Sequence, residues 1–183
     1  MYAGKSEELV RLLRRAEIAQ QTVLAFKPAV DDRYSSSEVV SHNKSSFPCI
    51  TIKELSEIYD YVDDVAPDVV AFDEAQFFPT NLIEYVEELA YSSGIRVIVA
   101  GLDLDFMGRP FDTMIPLVFR AETVTRVNAV CVQCGRDASR TQRILNGKAV
   151  MNGELVSIGG IESYEARCAK CFVSSRARRR AKI

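Results

Sequence analysis

Apolar residues recur along the first hundred positions with two different spacings, which predict helices and buried strands in alternation. Helical intervals predict an amphipathic helix over residues 6–21, with Glu7 and Glu8 in its first turn and a buried face of Leu9, Leu12, Leu13 and Ala16. Residues 23–26 predict a short buried strand, and the continuous apolar run at residues 69–72 predicts a strand that is buried on both sides. Residues 96–100 predict a further strand. Such strands are typical of a mainly parallel sheet.

Two more helices are predicted between these strands. Thr51 and Glu54 have the spacing of a capping box and precede a buried face of Leu55, Ile58, Tyr59 and Val62. Asn81 and Glu84 repeat that spacing before a second apolar face, which Gly94 is placed to terminate. The polar stretch over residues 31–46 predicts a long loop. The pattern therefore predicts an α/β fold with a mainly parallel sheet.

The pattern changes after Asn128, where paired cysteines, glycine-rich turns and short strand-like runs such as residues 154–158 replace the alternation. We therefore predict three segments. Residues 1–128 form a nucleotide-binding α/β domain, residues 129–172 form a small metal-binding domain, and residues 173–183 form a basic tail.

Composition and charge narrow the function. Of the 183 residues, 48% are hydrophobic and 26% are charged, as in ordinary globular proteins. No apolar run reaches the roughly 18 residues of a membrane span, and no signal-peptide pattern is present, so we expect a cytoplasmic protein without a membrane partner.

The net charge is −2, but the tail carries five basic residues and no acid. The rest of the chain is near −7, which disfavours nucleic acid as a partner of the body. The tail itself could contact nucleic acid or a membrane, although a solvated chain end is the more common case.

A phosphate-binding motif opens the chain. Gly4, Lys5 and Ser6 run directly into the first predicted helix, as in the second half of a P-loop. Backbone N–H groups at the helix N-terminus bind phosphate oxygens, a lysine neutralises the β- and γ-phosphates, and a serine hydroxyl binds Mg²⁺. The first glycine of the complete motif would fall two positions before Met1. We expect that glycine and a strand before it to precede the given sequence.

An acidic pair ends the predicted strand at residues 69–72. Asp73 is placed as a Walker B acid that holds Mg²⁺ through water, and Glu74 can accept a proton from an attacking hydroxyl. Two solvated acids at a strand end are the structural alternative. The P-loop earlier in the chain favours the functional interpretation.

Four of the five cysteines form two C-x-x-C pairs: Cys131 with Cys134, and Cys168 with Cys171. Four thiolates in two close pairs suit a closed tetrahedral zinc site, which is structural because no coordination position stays open. Free or disulfide-bonded cysteines are the alternative. Cys49 is predicted to be a packing residue, and His42, the only histidine, is predicted to be solvent-exposed or hydrogen-bonded in a loop.

Several segments together resemble the cytosolic, zinc-containing thymidine kinase family, and most closely its bacterial members with four cysteines. They cover nearly the whole chain up to about Phe172 and include residues 1–9, 26–28, 31–34, 72–78, 100–103, 106–111, 138–143, 158–160 and 162–168. Ser157 departs from the family pattern, which often has an aliphatic residue there. The tail has no counterpart in that pattern.

The resemblance implies a RecA-like P-loop domain, a zinc-held lasso that closes over a nucleoside, a homotetramer, and feedback inhibition by thymidine triphosphate. It implies transfer of the γ-phosphoryl group of ATP, with Mg²⁺, to the 5′-hydroxyl of thymidine or deoxyuridine, in nucleotide salvage for DNA synthesis. Glu74 is then the catalytic base, and Asp73 and Arg33 serve the phosphates and Mg²⁺. The implied nucleoside contacts are Met1, Leu102, Phe106, Phe111, Leu155, Ser157, Gly159 and Tyr164, with the backbone of residues 155–159 reading the thymine edge.

Two other functions fit parts of the pattern. An ATP-driven nucleic-acid protein with a zinc ribbon would share the P-loop, the acids and the cysteines, but it predicts a basic body. A non-catalytic zinc-stabilised interaction module would need no phosphate-binding lysine beside an acidic pair. DNA-stimulated ATP hydrolysis would favour the first function, and failure to bind ATP–Mg²⁺ would favour the second.

Overall fold

The computed structural model describes residues 2–29, 38–40, 46–153 and 162–174. It divides into two compact units. The first, which we call the sheet unit, comprises residues 4–102 and 112–124. The second, which we call the cysteine unit, comprises residues 1–3, 103–111 and 125–183.

The sheet unit is a mixed α/β structure with a parallel sheet at its centre. Its helices are α1 (Lys5–Ile18), α2 (Glu57–Val65), α3 (Leu82–Glu87) and α4 (Met114–Arg120), with a 3₁₀ turn at Ala75–Phe77 and a π-helical turn at Glu88–Ser92. Its strands are β1 (Val23–Pro28), β2 (Glu38–Val40), β3 (Ser46–Pro48), β4 (Ile50–Ile52), β5 (Val69–Phe72) and β6 (Arg96–Val99). The sheet order is β4-β1-β5-β6, and every pairing in it is parallel. The predicted α/β class and mainly parallel sheet are confirmed.

Alternating residues of the central strands face opposite sides of the sheet. One side packs against α1 in a cluster of Leu9, Val10, Leu13, Ala16, Ala25, Phe47, Cys49, Val69 and Ala71. Cys49 is thus a packing residue, as predicted. On the other side the stacked rings of Phe26 and Phe72 lie 5.8 Å apart, and the Phe26 ring is 5.9 Å from Tyr61 of α2. Because both faces of β5 are covered, its four residues are all buried.

Three local predictions were wrong. Thr51 does not begin a capping box, because it lies within β4; α2 begins at Glu57, whose carboxylate accepts hydrogen bonds from the backbone N–H groups of Lys53 and Glu54. The loop predicted over residues 31–46 contains β2, which pairs antiparallel with β3. The first helix ends at Ile18 rather than Gln21, since Gln20 adopts a left-handed conformation.

The cysteine unit is built from short antiparallel strands. These are β7 (Ala129–Val130), β8 (Asp137–Ala138), β9 (Arg140–Leu145), β10 (Lys148–Ala149) and β11 (Glu162–Arg167). β7 pairs with β8, while the other three form a sheet in the order β10-β9-β11. Asn146 and Gly147 both have positive φ between β9 and β10, which identifies a two-residue hairpin turn of the type that Asn-Gly favours. In the three-stranded sheet of this unit, β9 is the central strand.

Candidate functional site

The carboxyl end of β5 carries the acidic pair. Pairing with both neighbouring strands continues past β5, since Asp73 N–H donates to the Phe26 carbonyl and Ala75 N–H to the Ala100 carbonyl, each at 2.9 Å. Glu74 lies between them with φ 49° and ψ 41°, a left-handed conformation that is uncommon for a residue with a side chain. Residues held in such conformations cluster at functional sites. Asp73 is buried and Glu74 is partly exposed.

The N-terminus of α1 meets this acidic pair. Gly4 is the N-cap residue, and Lys5 and Ser6 form the first turn of the helix. Lys5 Nζ lies 3.2 Å from Glu74 Oε1, and the two side chains are 17% and 18% exposed. The structure thus places a lysine at a helix N-terminus beside a carboxylate at the end of a buried strand. That end of the sheet can bind an anion through N–H groups and a cation through acids.

The four paired cysteines come together in the cysteine unit. Their Sγ atoms all lie within 4.8 Å of one another, and none of them forms a disulfide. The Sγ atoms of Cys134 and Cys168 are 3.6 Å apart, which is close to the roughly 3.8 Å edge of a tetrahedron with zinc–sulfur bonds of about 2.3 Å. The cluster therefore fits a tetrahedral metal ion.

Both C-x-x-C pairs use the same turn. The N–H groups of Cys134 and Gly135 donate to the Cys131 carbonyl, and those of Cys171 and Phe172 donate to the Cys168 carbonyl. The repeated turn brings the thiols of each pair to one side. Strand pairing then brings the two turns together, since Val132 N–H donates to the carbonyl of Ala166 at 3.1 Å.

The thiols ionise unequally. A hydrogen bond from the Arg136 guanidinium, whose Nε is 3.5 Å from the Cys134 Sγ, lowers the pKa of Cys134 to about 6. Hydrogen bonds with Cys134 and Cys168 raise the pKa of the neighbouring Cys171 to about 12. One thiol in the group is thus readily ionised at neutral pH. A bound metal ion deprotonates its thiol ligands outright.

Comparison with known proteins agrees with this geometry. The family model for thymidine kinase matches residues 1–172. The chain belongs to the thymidine kinase family. The resemblance to the family is therefore confirmed, although the match does not distinguish the bacterial members. This thymidine kinase family member is a kinase whose family membership implies phosphorylation of thymidine.

Within the cysteine unit of this thymidine kinase family member, the structure groups two of the residues predicted to contact the nucleoside. Tyr164 on β11 lies opposite Arg143 on β9, and the Arg143 guanidinium carbon lies 5.1 Å from the centre of the Phe106 ring. Phe106 is buried and Tyr164 is half-buried. Phe111 is half-buried in the same unit, and its N–H donates to the Asp103 carbonyl at 3.2 Å. Leu102 lies in the sheet unit.

The other predicted site residues fall outside the described part of this thymidine kinase family member. They are Met1, Arg33, Leu155, Ser157 and Gly159, of which the last three belong to the predicted lasso. His42 and the tail beyond residue 174 are likewise outside it. Within the described residues, no helix is both long and apolar enough to cross a membrane.

Two residues that the sequence interpretation did not assign contact predicted site residues of this thymidine kinase family member. Arg143 packs against Phe106, and Gln76 donates a hydrogen bond from Nε2 to Glu74 Oε2. Both occur in motifs that carried the family resemblance, but residue type and spacing alone assigned neither of them a role. Their contacts became evident only from the folded chain.

Proposed function

We propose that this chain transfers the γ-phosphoryl group of ATP to the 5′-hydroxyl of thymidine and of deoxyuridine. The observation that carries the proposal is the 3.2 Å contact between Lys5 and Glu74, which joins the phosphate-binding motif to the candidate base. Family membership supports the thymidine substrate. Phosphoryl transfer depends mostly on positioning and charge stabilisation, which a lysine and a helix N-terminus can supply.

Each residue at the α1 terminus has a role in the proposed reaction. Gly4 and the N–H groups of the first turn hold phosphate oxygens, and Lys5 exchanges its contact with Glu74 for the β- and γ-phosphates. Ser6 and the buried Asp73 would hold Mg²⁺, which enters with ATP and neutralises charge on the phosphates. Arg33 is proposed to contact the phosphates as well.

Glu74 is the proposed catalytic base. Its carboxylate accepts the proton of the 5′-hydroxyl as the 5′-oxygen forms a bond to the γ-phosphorus. The bond between that phosphorus and the β,γ-bridging oxygen breaks, and ADP leaves with the electron pair. The proton on Glu74 then passes to water, which restores the carboxylate. No other proton acceptor is needed.

The metal is proposed to be zinc in a structural role. Four thiolate ligands leave no open coordination position, so the ion cannot bind substrate. The two cysteine pairs are separated by 33 residues, from 135 to 167. A single ion that binds both pairs therefore fixes both ends of this segment, which lies within the proposed lasso domain, residues 129–172. The lasso backbone at Leu155, Ser157 and Gly159, together with Met1, Leu102, Phe106, Phe111 and Tyr164, is proposed to hold the nucleoside.

The remaining parts of the proposal rest on the family resemblance of the sequence motifs. They are a cytoplasmic location, a homotetramer, feedback inhibition by thymidine triphosphate, and a role in nucleotide salvage for DNA synthesis. Sedimentation analysis and inhibition by thymidine triphosphate at fixed ATP would test the second and third of these.

A radiolabelled phosphoryl-transfer assay tests the substrate. We expect thymidine and deoxyuridine to be phosphorylated. Purine deoxynucleosides should fail because overfilling a packed pocket costs about 1–3 kcal/mol. Deoxycytidine should react at least about 10²-fold less efficiently by kcat/KM, since its N3 and amino group reverse two hydrogen-bonding partners of thymine. Comparable kcat/KM values for deoxycytidine and thymidine would contradict readout by the lasso backbone.

The Glu74→Gln variant tests the base. General-base catalysis contributes about 10²–10⁴ in rate, so kcat should fall by that range while the Kd for thymidine stays unchanged. Glu84→Gln is the matched control, because Glu84 is an exposed glutamate of α3 in the same unit. Near-normal turnover by Glu74→Gln would remove Glu74 from the mechanism.

A further inference from the structure

A buried amide links the candidate base to a neighbouring segment of the sheet unit. Gln76 lies in the 3₁₀ turn that follows Glu74 and is only 5% exposed. Its Nε2 donates to Glu74 Oε2, while its Oε1 accepts a 2.8 Å hydrogen bond from the backbone N–H of Leu102. Both polar atoms of the side chain are therefore engaged, one by the carboxylate and one by the backbone.

The orientation of this amide is determined by its partners. A backbone N–H can only donate, so the atom facing Leu102 must be the amide oxygen. The amide nitrogen then faces Glu74, and a nitrogen with two N–H groups can only donate to it. The hydrogen bond therefore restrains the orientation of the Glu74 carboxylate relative to the segment that contains Leu102.

Gly101 gives Gln76 the space that it occupies. A Cβ atom at residue 101 would lie 3.1 Å from Gln76 Oε1, and 2.6 Å and 2.8 Å from the Sδ and Cε atoms of Met114. Any side chain there would displace the buried amide or the Met114 side chain that packs beside it. A side chain at position 101 would therefore crowd Met114 most and the amide oxygen of Gln76 to a smaller extent.

We propose that Gln76 is the positioning residue that holds the Glu74 carboxylate in the orientation needed for proton abstraction. The inference rests on the proposed function, in which Glu74 is the base and Lys5 moves to the phosphates of ATP. Once Lys5 has moved, its 3.2 Å contact no longer restrains Glu74. Gln76 keeps its hydrogen bond to the carboxylate, because its own oxygen remains fixed by Leu102.

Two variants separate this role from simple packing. Gln76→Met keeps the approximate size of the side chain and removes both hydrogen bonds. Gln76→Glu keeps an acceptor for Leu102 N–H but replaces the donor to Glu74 with a second acid. We expect kcat for thymidine to fall about tenfold or more in both, with KM within about twofold.

Further measurements decide among the outcomes. Wild-type protein must first phosphorylate thymidine; if it does not, the proposed function is wrong and this inference falls with it. If wild type is active but both variants keep kcat within about twofold of wild type, or lose it only in proportion to the folded fraction measured by circular dichroism, only the inference is wrong. In the double variant Glu74→Gln with Gln76→Met, kcat should equal that of Glu74→Gln alone, since Gln76 acts through Glu74. A further tenfold loss there would also overturn the inference.

Discussion

The sheet unit and the cysteine unit bury very different side chains. In the sheet unit, four residues of α1 pack into one apolar cluster with three residues of the parallel sheet and with Phe47 and Cys49. Among the described residues, the buried members of the cluster in the cysteine unit are Ala129, Cys131, Ala138, Ala166 and Cys168. Three of these are alanines and two are metal-ligand candidates. The second cluster thus has little apolar area apart from the thiols themselves.

This difference implies two sources of stability. Apolar burial contributes about 25 cal/mol per Å², so leucines and phenylalanines on both faces of a sheet can stabilise the sheet unit by themselves. Small domains without such a core usually depend on disulfides or metals. The cysteine unit has no disulfide, and its interior also contains the polar side chains of Gln142, Arg143 and Arg167. We therefore expect its stability to depend on the metal ion.

Loss of one thiolate should have the largest effect. Cys134 is exposed, so Cys134→Ser removes a ligand without creating a cavity. Because structural zinc contributes about 10–16 kcal/mol in small zinc peptides, we expect bound zinc and the hydrogen-exchange protection of β9 and β11 to be lost together. Protection of β1 and β5 should persist. Thymidine binding should weaken because the lasso loses its anchor.

Val132→Ser is the control for that experiment, since Val132 is an exposed residue between Cys131 and Cys134. It should keep both zinc and exchange protection. If Cys134→Ser lost its zinc but kept normal protection of β9 and β11, the proposed dependence of the cysteine unit on metal would be wrong. Unchanged thymidine affinity without zinc would contradict the anchoring role.

Truncation of a core side chain should destabilise the sheet unit and leave zinc binding by the cysteine unit unchanged. Leu13 of α1 is 0% exposed within the apolar cluster, so Leu13→Ala should lower the free energy of unfolding of the sheet unit by about 2–5 kcal/mol. Zinc content should not change. Ile18→Ala on the same helix is the control; that residue is 82% exposed, and its effect should stay within about 0.5 kcal/mol. Equal losses in the two variants, measured by urea denaturation, would show that α1 does not pack as described.

The elements that could be predicted from sequence are those with a clear hydrophobic pattern or a clear terminating residue. The strand at Val69–Phe72 was predicted with its observed bounds, because a continuous apolar run between polar residues is unambiguous. Gly94 has a positive φ after the π-helical turn, as its predicted role as a terminator requires. The capping box at Thr51 failed because β1 offered that segment a strand partner, and local spacing carries no information about such tertiary pairing. Helix α4 carries Pro116 in its first turn and was not predicted.

The candidate site, like the fold, could be predicted from sequence in part. Motif spacing placed Lys5 and Glu74 in related roles, and the fold brings them into contact. The four cysteines were grouped from spacing alone, and the structure gathers their thiols. Gln76 and Arg143 could not be assigned in this way. Arg143 contacts Phe106, which is distant in sequence, and Gln76 reaches both Glu74 and the distant Leu102 from an irregular turn. Periodicity does not report contacts of that kind.

The smallest effect is expected at a surface contact of the sheet unit. Tyr59 of α2 donates a hydrogen bond to Glu88 in the π-helical turn, and this bond raises the pKa of Tyr59 to about 12. A raised pKa means that the contact stabilises the fold while the phenol is protonated in both states. That stabilisation is complete below about pH 10 and is lost as the pH rises towards 12.

Tyr59→Phe should therefore lower the free energy of unfolding by about 0.5–1 kcal/mol at pH 7, because the contact is largely solvated. The difference between wild type and variant, measured by urea denaturation, should shrink above pH 10. A difference that grew between pH 10 and 11 would contradict donation by the Tyr59 hydroxyl.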